Sequence, residues 1–316
     1  MGFIWPGSIQ KDGQMIFNPQ AKLLWHGIRM QKWLKTGRSD PILVEIAPTG
    51  YCNASCSWCF FKGKRSKEHI DSEVMRNALL DLHQLGVKAI NWSGGGEPTL
   101  HPDFADFVER ASRYGLKQGL FTNGYQEIPH QCVFNWIRIS WTDEGFSKVK
   151  KPKVPFGVCL NQTKLHTESE IRRICEESME FGAKYFQVRP ALVGIADKQP
   201  YLEMPVYLKE HELDDFKIYI TKYKYEESVE EKKYDKCYGY NFCPSIDWNG
   251  HLSVCLYLTL NKDYILADLN KESLREVWKK IPKDVKVIAG CQNCCKNHEI
   301  NKVLYHAMQA EDVDFL

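Results

Sequence analysis

The chain has 316 residues, of which 43% are hydrophobic and 26% charged, and its 42 basic and 40 acidic residues leave a formal net charge of +2. This balance is ordinary for a globular protein. It lacks the basic excess typical of nucleic-acid-binding proteins, and no apolar run approaches the roughly 18 residues of a membrane span. The opening MGFIWPGSIQ has no charged leader followed by an apolar stretch, so we expect no signal peptide, a cytoplasmic location, and neither nucleic-acid nor membrane partners.

The first predicted element is a basic amphipathic helix in NPQAKLLWHGIRMQKWLKTG, part of an N-terminal helical extension over residues 1–40. A helix of this kind can contact a membrane or a partner, but we expect it to pack on the barrel predicted below. Its apolar residues are Leu23, Leu24, Ile28, Trp33 and Leu34.

From residue 42 to 192, apolar strands alternate with amphipathic helices. The predicted strands are ILVEIAP, VKAINWS, LKQGLFTNG, WIRISWT, VPFGVCLNQ and AKYFQVRPAL, and the helices are DSEVMRNALLDLHQLG, HPDFADFVERASRYG and TESEIRRICEESMEFG. Asp71 is the expected N-cap of the first helix, and Gly86, Gly115 and Gly182 are the expected helix ends. The basic, proline-bearing FSKVKKPKVP predicts a short or absent helix. Such alternation is typical of βαβ units and a parallel sheet.

The twelve cysteines fall into three sets. Cys52, Cys56 and Cys59 are spaced C-x3-C-x2-C directly after the first strand, and six more lie in the C-terminal part: Cys237, Cys243, Cys255, Cys291, Cys294 and Cys295. The isolated Cys132, Cys159 and Cys175 are interpreted as small core residues. In a reducing compartment, clustered cysteines favour metal binding over disulfides.

The first triplet has one ligand too few for structural zinc, which takes four. Three thiolates on a [4Fe–4S] cluster leave one iron open, and α/β active sites gather where strands end. The triplet, with Trp58 before and Phe60 after Cys59, resembles the motif of the radical S-adenosylmethionine (SAM) superfamily. The resemblance implies that SAM chelates the open iron and is cleaved to a 5′-deoxyadenosyl radical, with electrons from a donor such as flavodoxin or ferredoxin.

Further segments resemble the SAM-binding motifs of that superfamily. GGGEP is similar to the "GGE" motif, which implies that Glu97 and the backbone around it bind the SAM amino group, and the third strand ends in a similar T-N-G. The cofactor-binding residues implied by the resemblance are Gly94, Gly95, Gly96, Glu97, Thr122, Asn123, Ser140, Asn161 and Arg189. For the last three, turn or capping hydrogen bonds are an equal alternative.

The C-terminal cysteines resemble the SPASM/twitch extension, which carries auxiliary [4Fe–4S] clusters. The spacing implies one such cluster, and two clusters in all, with ligands Cys237, Cys255, Cys291 and Cys294; Cys243 is the alternative to Cys237 or Cys294, and a zinc site on the same thiolates is a second alternative. DWNGHLSVC predicts a hairpin turned by Asn249-Gly250, LADLNKESLREVWKK a helix, and residues 210–236 a charged helix plus linker.

The resemblance covers residues 42–295 and implies an α/β fold: a partial (β/α)6 TIM-like barrel over 41–209 and a small α+β auxiliary-cluster domain within 210–316. Leu256 and Tyr257 follow Cys255 where the sulfatase-maturing branch has an acidic base, and the residues before the first strand are too few for the leader-binding domain of many peptide-modifying relatives.

Both observations favour oxidation of a small molecule (a sugar, cyclitol or nucleoside) with the auxiliary cluster as electron acceptor, as in the twitch-bearing aminocyclitol dehydrogenase. A peptide- or protein-modifying enzyme, a redox-neutral epimerase and a non-catalytic zinc protein are the alternatives, and no general base is assigned.

Overall fold

A parallel β-sheet forms the centre of the structure, a computed structural model that describes residues 19–192, 201–226, 232–289, 291 and 296–313. Neighbouring strands follow one another in chain order, and each pairs in parallel with the next. These strands are β1 (Leu43–Ile46), β2 (Ala89–Trp92), β3 (Lys117–Thr122), β4 (Trp136–Ser140), β5 (Gly157–Gln162), β6 (Tyr185–Pro190) and β7 (Lys217–Ile220).

Helices connect several of these strands and cover the sheet. In chain order the helices are α1 (Pro19–Leu24), α2 (Gly27–Thr36), α3 (Ser72–Gln84), α4 (Phe104–Arg113), α5 (Glu168–Glu180), α6 (Lys222–Glu226), α7 (Leu274–Trp278) and α8 (Lys296–Gln309). Apolar residues of α3, α4 and α5 share one buried core with strands β1–β7. None of the helices in the described ranges is long and apolar enough to cross a membrane.

Local sequence signals explain where these helices begin and end. The Asp71 carboxylate accepts from the backbone N–H groups of Glu73 and Val74 at 2.8 and 3.0 Å, which caps α3. Gly86 follows that helix with φ of 70°, a conformation that glycine adopts without strain. The six predicted strands and the parallel α/β fold class are confirmed, and the fully described β4–β5 connection has turns but no helix, as expected.

The stretch 210–236 differs from the predicted charged helix plus linker. Its described residues, 210–226 and 232–236, contain β7, whose buried Ile218 and Tyr219 extend the sheet beyond β6, and α6 is the one α-helix among them. The sequence did not predict this four-residue strand because a strand so short gives almost no periodic signal and charged residues lie on both sides of it.

Where the structure describes it, the C-terminal part adds five short strands: β8 (Lys236–Cys237), β9 (Ser245–Ile246), β10 (His251–Ser253), β11 (Ile265–Asp268) and β12 (Val285–Lys286). Strands β9 and β10 form the predicted hairpin, and its turn includes Gly250 at φ of 77°. Strand β9 also pairs in parallel with β1, so one ten-stranded sheet runs from β11 through β10 and β9 to β1 and on to β7. The sequence gives no indication of this junction.

The helix predicted for LADLNKESLREVWKK is too long. Its first residues form β11, which pairs with β10, and α7 begins only after Ser273, whose hydroxyl accepts from the Glu276 N–H. Pairing with the edge strand β10 of the hairpin determines the structure of these residues more strongly than helix propensity does.

The N-terminal helix is also interrupted, between α1 and α2. Leu23 and Trp33 are buried, but against Phe242, Cys243, Ile300 and Leu304 of the C-terminal part, with Leu43 at the start of β1 nearby, rather than against the barrel helices. The break changes which residues share a face, so Leu24, Ile28 and Leu34 are exposed. Cys159 and Cys175 are buried as expected, whereas Cys132 is exposed in a short turn, which corrects its interpretation as a core residue.

Candidate active site

One cavity lies at the carboxyl ends of strands β1–β6. Each of these six strands, or the segment directly after it, contributes residues to the wall, because parallel strands end at the same edge of a sheet. All of the barrel residues that the sequence motifs single out line this cavity: Cys52, Cys56, Cys59, Gly94, Gly95, Gly96, Glu97, Thr122, Asn123, Ser140, Asn161 and Arg189.

The thiols of the cysteine loop are largely shielded from solvent. Burial, followed by the neighbouring Cys59 and Cys52, raises the pKa of the Cys56 thiol to about 12, and burial also raises the pKa of Cys52. Such thiols lose their protons when a metal centre supplies compensating positive charge. The protein itself supplies one cation, since Arg65 donates to the Cys59 sulfur at 3.1 Å and to the Ala54 carbonyl. The sequence motif gave no signal for Arg65.

Polar contacts hold the cysteine loop against the ends of β3 and β4. The Ser57 N–H and hydroxyl donate to the two oxygens of Asp143 at 2.7 and 3.2 Å. The Asn123 amide donates to the Asn53 side chain at 2.8 Å, and its nitrogen lies 3.9 Å from the Cys52 sulfur. The thiols therefore occupy a fixed loop.

The glycines after β2 are required by close packing. A Cβ atom on Gly95 would lie 1.9 Å from the Trp248 ring, and one on Gly96 would lie 2.0 Å from the Tyr51 carbonyl oxygen. Trp248 belongs to the turn of the β9–β10 hairpin, so the glycine segment is where the C-terminal part rests on the barrel. A bound ligand is not the only reason for glycine here.

Glu97 is buried at the centre of a hydrogen-bond network. Its Oε1 accepts from the Thr122 hydroxyl at 2.6 Å and from the Thr99 hydroxyl and N–H at 2.8 and 3.2 Å, while Oε2 accepts from the Asn123 N–H at 2.7 Å. Burial raises the pKa of this carboxyl even though all four donors oppose the shift. Glu97 thereby joins the loop after β2 to the end of β3.

Arg189 and Asn161 interact across neighbouring strands. They are directly opposite in the β5–β6 register, and the Arg189 Nε donates to Asn161 Oδ1 at 2.9 Å. The Arg189 guanidinium carbon lies 5.7 Å from the centroid of the Phe121 ring. Ser140, at the end of β4, lies on the same cavity wall.

The C-terminal part completes the cavity with Leu256 and Tyr257, a wall that the sequence did not predict. The Tyr257 ring meets Phe60 edge-on at 4.8 Å between centroids, and Phe60 directly follows Cys59. The residues next to the two cysteine groups are therefore in contact.

Three of the C-terminal cysteines, Cys237, Cys255 and Cys291, act electrostatically on the same residue, Tyr264. Burial raises the pKa of Tyr264, and Cys291, Cys237 and Cys255 are near enough to add to the shift, as is Asp263. The Cys237 sulfur accepts from the Asn301 amide at 3.3 Å. Cys294 lies outside the described residues.

Cys243 lies elsewhere, in the apolar cluster with Leu23 and Trp33. Within the ranges that the structure describes, no three His, Cys, Asp or Glu side chains converge on a position for a single metal ion.

A parallel α/β sheet with a three-thiol loop after its first strand and a cavity across its strand ends is the arrangement expected of an α/β enzyme whose active site lies at the strand ends. Residues 46–139 match the Radical SAM superfamily. This match contains the three-cysteine motif, and the expectation drawn from that motif is confirmed.

Two curated relatives match over about a third of the chain. The probable GTP 3′,8-cyclase of Methanothermobacter marburgensis is 36% identical over 89 residues, 28% of this chain and 29% of that protein. The mycofactocin maturase MftC of Mycobacterium tuberculosis strain CDC 1551 / Oshkosh is 29% identical over 116 residues, 36% of this chain and 28% of that protein. The chain thus spans less than a third of the length of either relative.

Solved structures share the fold over most of the chain. SuiB of Streptococcus suis bound to its precursor peptide SuiA superposes with a TM-score of 0.59 and 17% identity, over 83% of this chain and 70% of that one. The anSMEcpe structure with bound AdoMet and the Kp18Cys peptide superposes with a TM-score of 0.55 and 18% identity, over 84% of both chains.

Proposed function

We propose that the protein cleaves SAM reductively and abstracts hydrogen from a small-molecule substrate (a sugar, cyclitol or nucleoside), which it oxidises. The observation that carries this proposal is the shared cavity, because the three thiols, the glycine segment and Glu97 all line it. When bound, the first cluster and SAM would supply the 5′-deoxyadenosyl radical, and a second cluster would accept the electron that a substrate radical loses.

Different residues of the first site would hold the cluster and SAM. Cys52, Cys56 and Cys59 would ligate three irons, with Arg65 offsetting negative charge at Cys59. Of the Glu97 oxygens, Oε2 accepts a single hydrogen bond from the described residues, so it has the capacity left to accept from the SAM ammonium. Arg189, held by Asn161, supplies a cation for the SAM carboxylate.

The second cluster is proposed to lie between β8, the hairpin and the segment ending at Cys291. The grouping of Cys237, Cys255 and Cys291 near Tyr264 supports these three as ligands, with Cys294 as the fourth. The burial of Cys243 among apolar side chains favours Cys237 over it. A ligand set of thiolates alone suits iron–sulfur clusters and zinc equally, so the preference for iron rests on the match of residues 46–139 to the Radical SAM superfamily.

The aromatic and aliphatic wall of Tyr257 and Leu256 supports a compact substrate. These two residues line the same cavity as the thiols, and Tyr257 contacts Phe60. The likeness of part of the chain to a probable GTP 3′,8-cyclase is consistent with a small substrate. Peptide modification is the second candidate, favoured by the likeness to a mycofactocin maturase and by the fold shared with a protein solved with its precursor peptide.

Anaerobically reconstituted protein tests the proposal when it is incubated with SAM and a reductant. We expect methionine and 5′-deoxyadenosine from the native chain and from Cys132→Ala, a matched control at an exposed cysteine outside the site. Cys59→Ala should yield neither product. The substrate class is then identified by the transfer of deuterium to 5′-deoxyadenosine from deuterated sugars, cyclitols, nucleosides or precursor-type peptides. Label from peptides alone would overturn the small-molecule assignment, and no 5′-deoxyadenosine from the native chain would overturn the proposal as a whole.

A further inference from the structure

Two lysine-rich loops border the cysteine loop. We call them together the basic rim and define it as residues 62–67, which follow Cys59, and residues 148–153, in the β4–β5 connection. The rim has eight basic and no acidic residues, whereas the whole chain has a net charge of only +2. Its exposed lysines are Lys62, Lys64, Lys67, Lys148, Lys150, Lys151 and Lys153.

The first loop of the rim touches the thiols directly. Arg65, inside this loop, donates to the Cys59 sulfur at 3.1 Å. The neighbouring Lys64 places its ammonium 5.1 Å from the centroid of the Phe60 ring. The lysines on this side are thus within a few residues of a proposed cluster ligand.

The second loop reaches the same thiols from the other side. Val149, between two lysines, packs into the cluster formed by Ala54, Cys56 and Tyr125, which Cys52 and Cys59 also contact. The Lys150 N–H donates to the Gly124 carbonyl at 2.8 Å, and this fixes the loop to the end of β3. Between the two loops, Ser55 and Ser57 of the cysteine loop are exposed to solvent.

Acidic neighbours neutralise only part of the rim. Glu144 pairs with Lys148, and Glu127 pairs with Lys153 at 3.3 Å. Exposed pairs of this kind have little net effect. The other five lysines of the rim, Lys62, Lys64, Lys67, Lys150 and Lys151, form no ion pair with a carboxylate among the described residues. Asp143, which accepts from Ser57, and Glu68, which follows Lys67, are exposed carboxylates at the same edge. The local excess of positive charge therefore comes from the five lysines that form no such ion pair.

We propose that the basic rim is the docking surface for an acidic one-electron carrier protein of the flavodoxin or ferredoxin type. This inference rests on the proposed function, which requires one electron to reach a cluster on Cys52, Cys56 and Cys59. In the docked complex the reduced carrier loses one electron and the cluster gains it, without proton transfer. A complementary charge patch at the point of electron entry raises the association rate and orients the carrier.

Charge reversal tests the surface without touching the ligands or Arg65. The first rim variant is Lys62→Glu/Lys64→Glu/Lys67→Glu, and the second is Lys150→Glu/Lys151→Glu. The matched control is Lys88→Glu/Lys117→Glu/Lys184→Glu, at the amino ends of β2, β3 and β6, which is the opposite edge of the sheet.

Stopped-flow bleaching of the cluster absorbance by reduced flavodoxin is measured at low and high salt for reconstituted protein. At low salt the rim variants should associate about 10-fold to 1,000-fold more slowly than the native chain, and this difference should shrink at high salt. The control should match the native chain. Reduced methyl viologen, a small cation that needs no docking surface, should reduce all variants at least as fast as the native chain.

The outcomes separate the two proposals. Rim variants that flavodoxin reduces at the native rate would overturn the docking surface while leaving SAM cleavage intact. Rim variants that lose affinity only for an acidic peptide or an oligonucleotide would overturn it too, because the surface would then serve another polyanion. A native chain that neither reductant can reduce, and that makes no 5′-deoxyadenosine, would refute the proposed function and the docking surface with it.

Discussion

The Glu97 network gives the sharpest test of how the active-site edge is held together. Glu97→Gln keeps an acceptor at Oε1 for Thr122 and Thr99 but places an amide NH2 against the Asn123 N–H, which now lacks a partner. Losing one charge-assisted hydrogen bond costs about 1.5–3 kcal/mol. Glu97→Ala removes all four hydrogen bonds, so its cost should exceed that of Glu97→Gln and reach about 4 kcal/mol, as for other broken buried networks.

Native-state hydrogen exchange of the Asn123 amide is the direct assay, because opening of this edge exposes that N–H. Glu97→Gln should lower its protection roughly 10-fold to 100-fold, the factor that corresponds to this free energy. Glu109→Gln, a partly exposed glutamate on α4, is the matched control and should leave it unchanged. If Glu97→Ala exchanges as slowly at Asn123 as the control, the network does not hold the ends of β2 and β3 together. Glu97→Gln should also weaken SAM binding, measured by calorimetry.

Three further predictions concern packing, pH and the second site. Gly95→Ala places a Cβ 1.9 Å from the Trp248 ring and should lower the free energy of unfolding in urea by about 1–3 kcal/mol. The control Gly27→Ala meets no atom within 4 Å and should not destabilise the protein. Equal stability of the two variants would refute the packing argument. The hydrogen bond from Lys271 is the main cause that lowers the pKa of Asp268 to about 2, so the stabilisation from Asp268 is complete above its usual pKa of 3.8 and is lost as the pH falls through about 2. Asp268→Asn should therefore lower the melting temperature at neutral pH but not near pH 2. An equal loss at both pH values would contradict this. Cys291→Ala should reduce oxidised product far more than 5′-deoxyadenosine, as quantified by chromatography, and full product with the second cluster absent would refute an electron-acceptor role.

The barrel could be predicted from the sequence because its signals are local. Asp71 caps α3 with its own side chain, and Gly86 ends it with a positive φ, so each helix boundary is determined by residues a few positions apart. The cavity residues were predictable for a related reason: in a parallel sheet, motifs that each follow a strand must meet at one edge.

Long-range features were not predictable in this way. The parallel pairing of β9 with β1 joins Ile246 to Ile46, two hundred residues apart in the chain, and no residue pattern specifies such a partner. The same holds for the contact of Arg65 with Cys59 and for the packing of Trp248 on Gly95, since both depend on how a loop folds back. The position of Tyr257 in the cavity follows from that same docking of the hairpin.

The content of iron and labile sulfide per chain, measured after anaerobic reconstitution, tests the central claim most directly. The native chain should hold about eight irons as two [4Fe–4S] clusters, and the combined replacement of Cys52, Cys56 and Cys59 by Ala should leave about four and abolish SAM cleavage. The electron paramagnetic resonance signal of the reduced native chain should change when SAM is added, and that of the triple variant should not. Stoichiometric zinc without iron in the native chain, or SAM cleavage by the triple variant, would contradict the account.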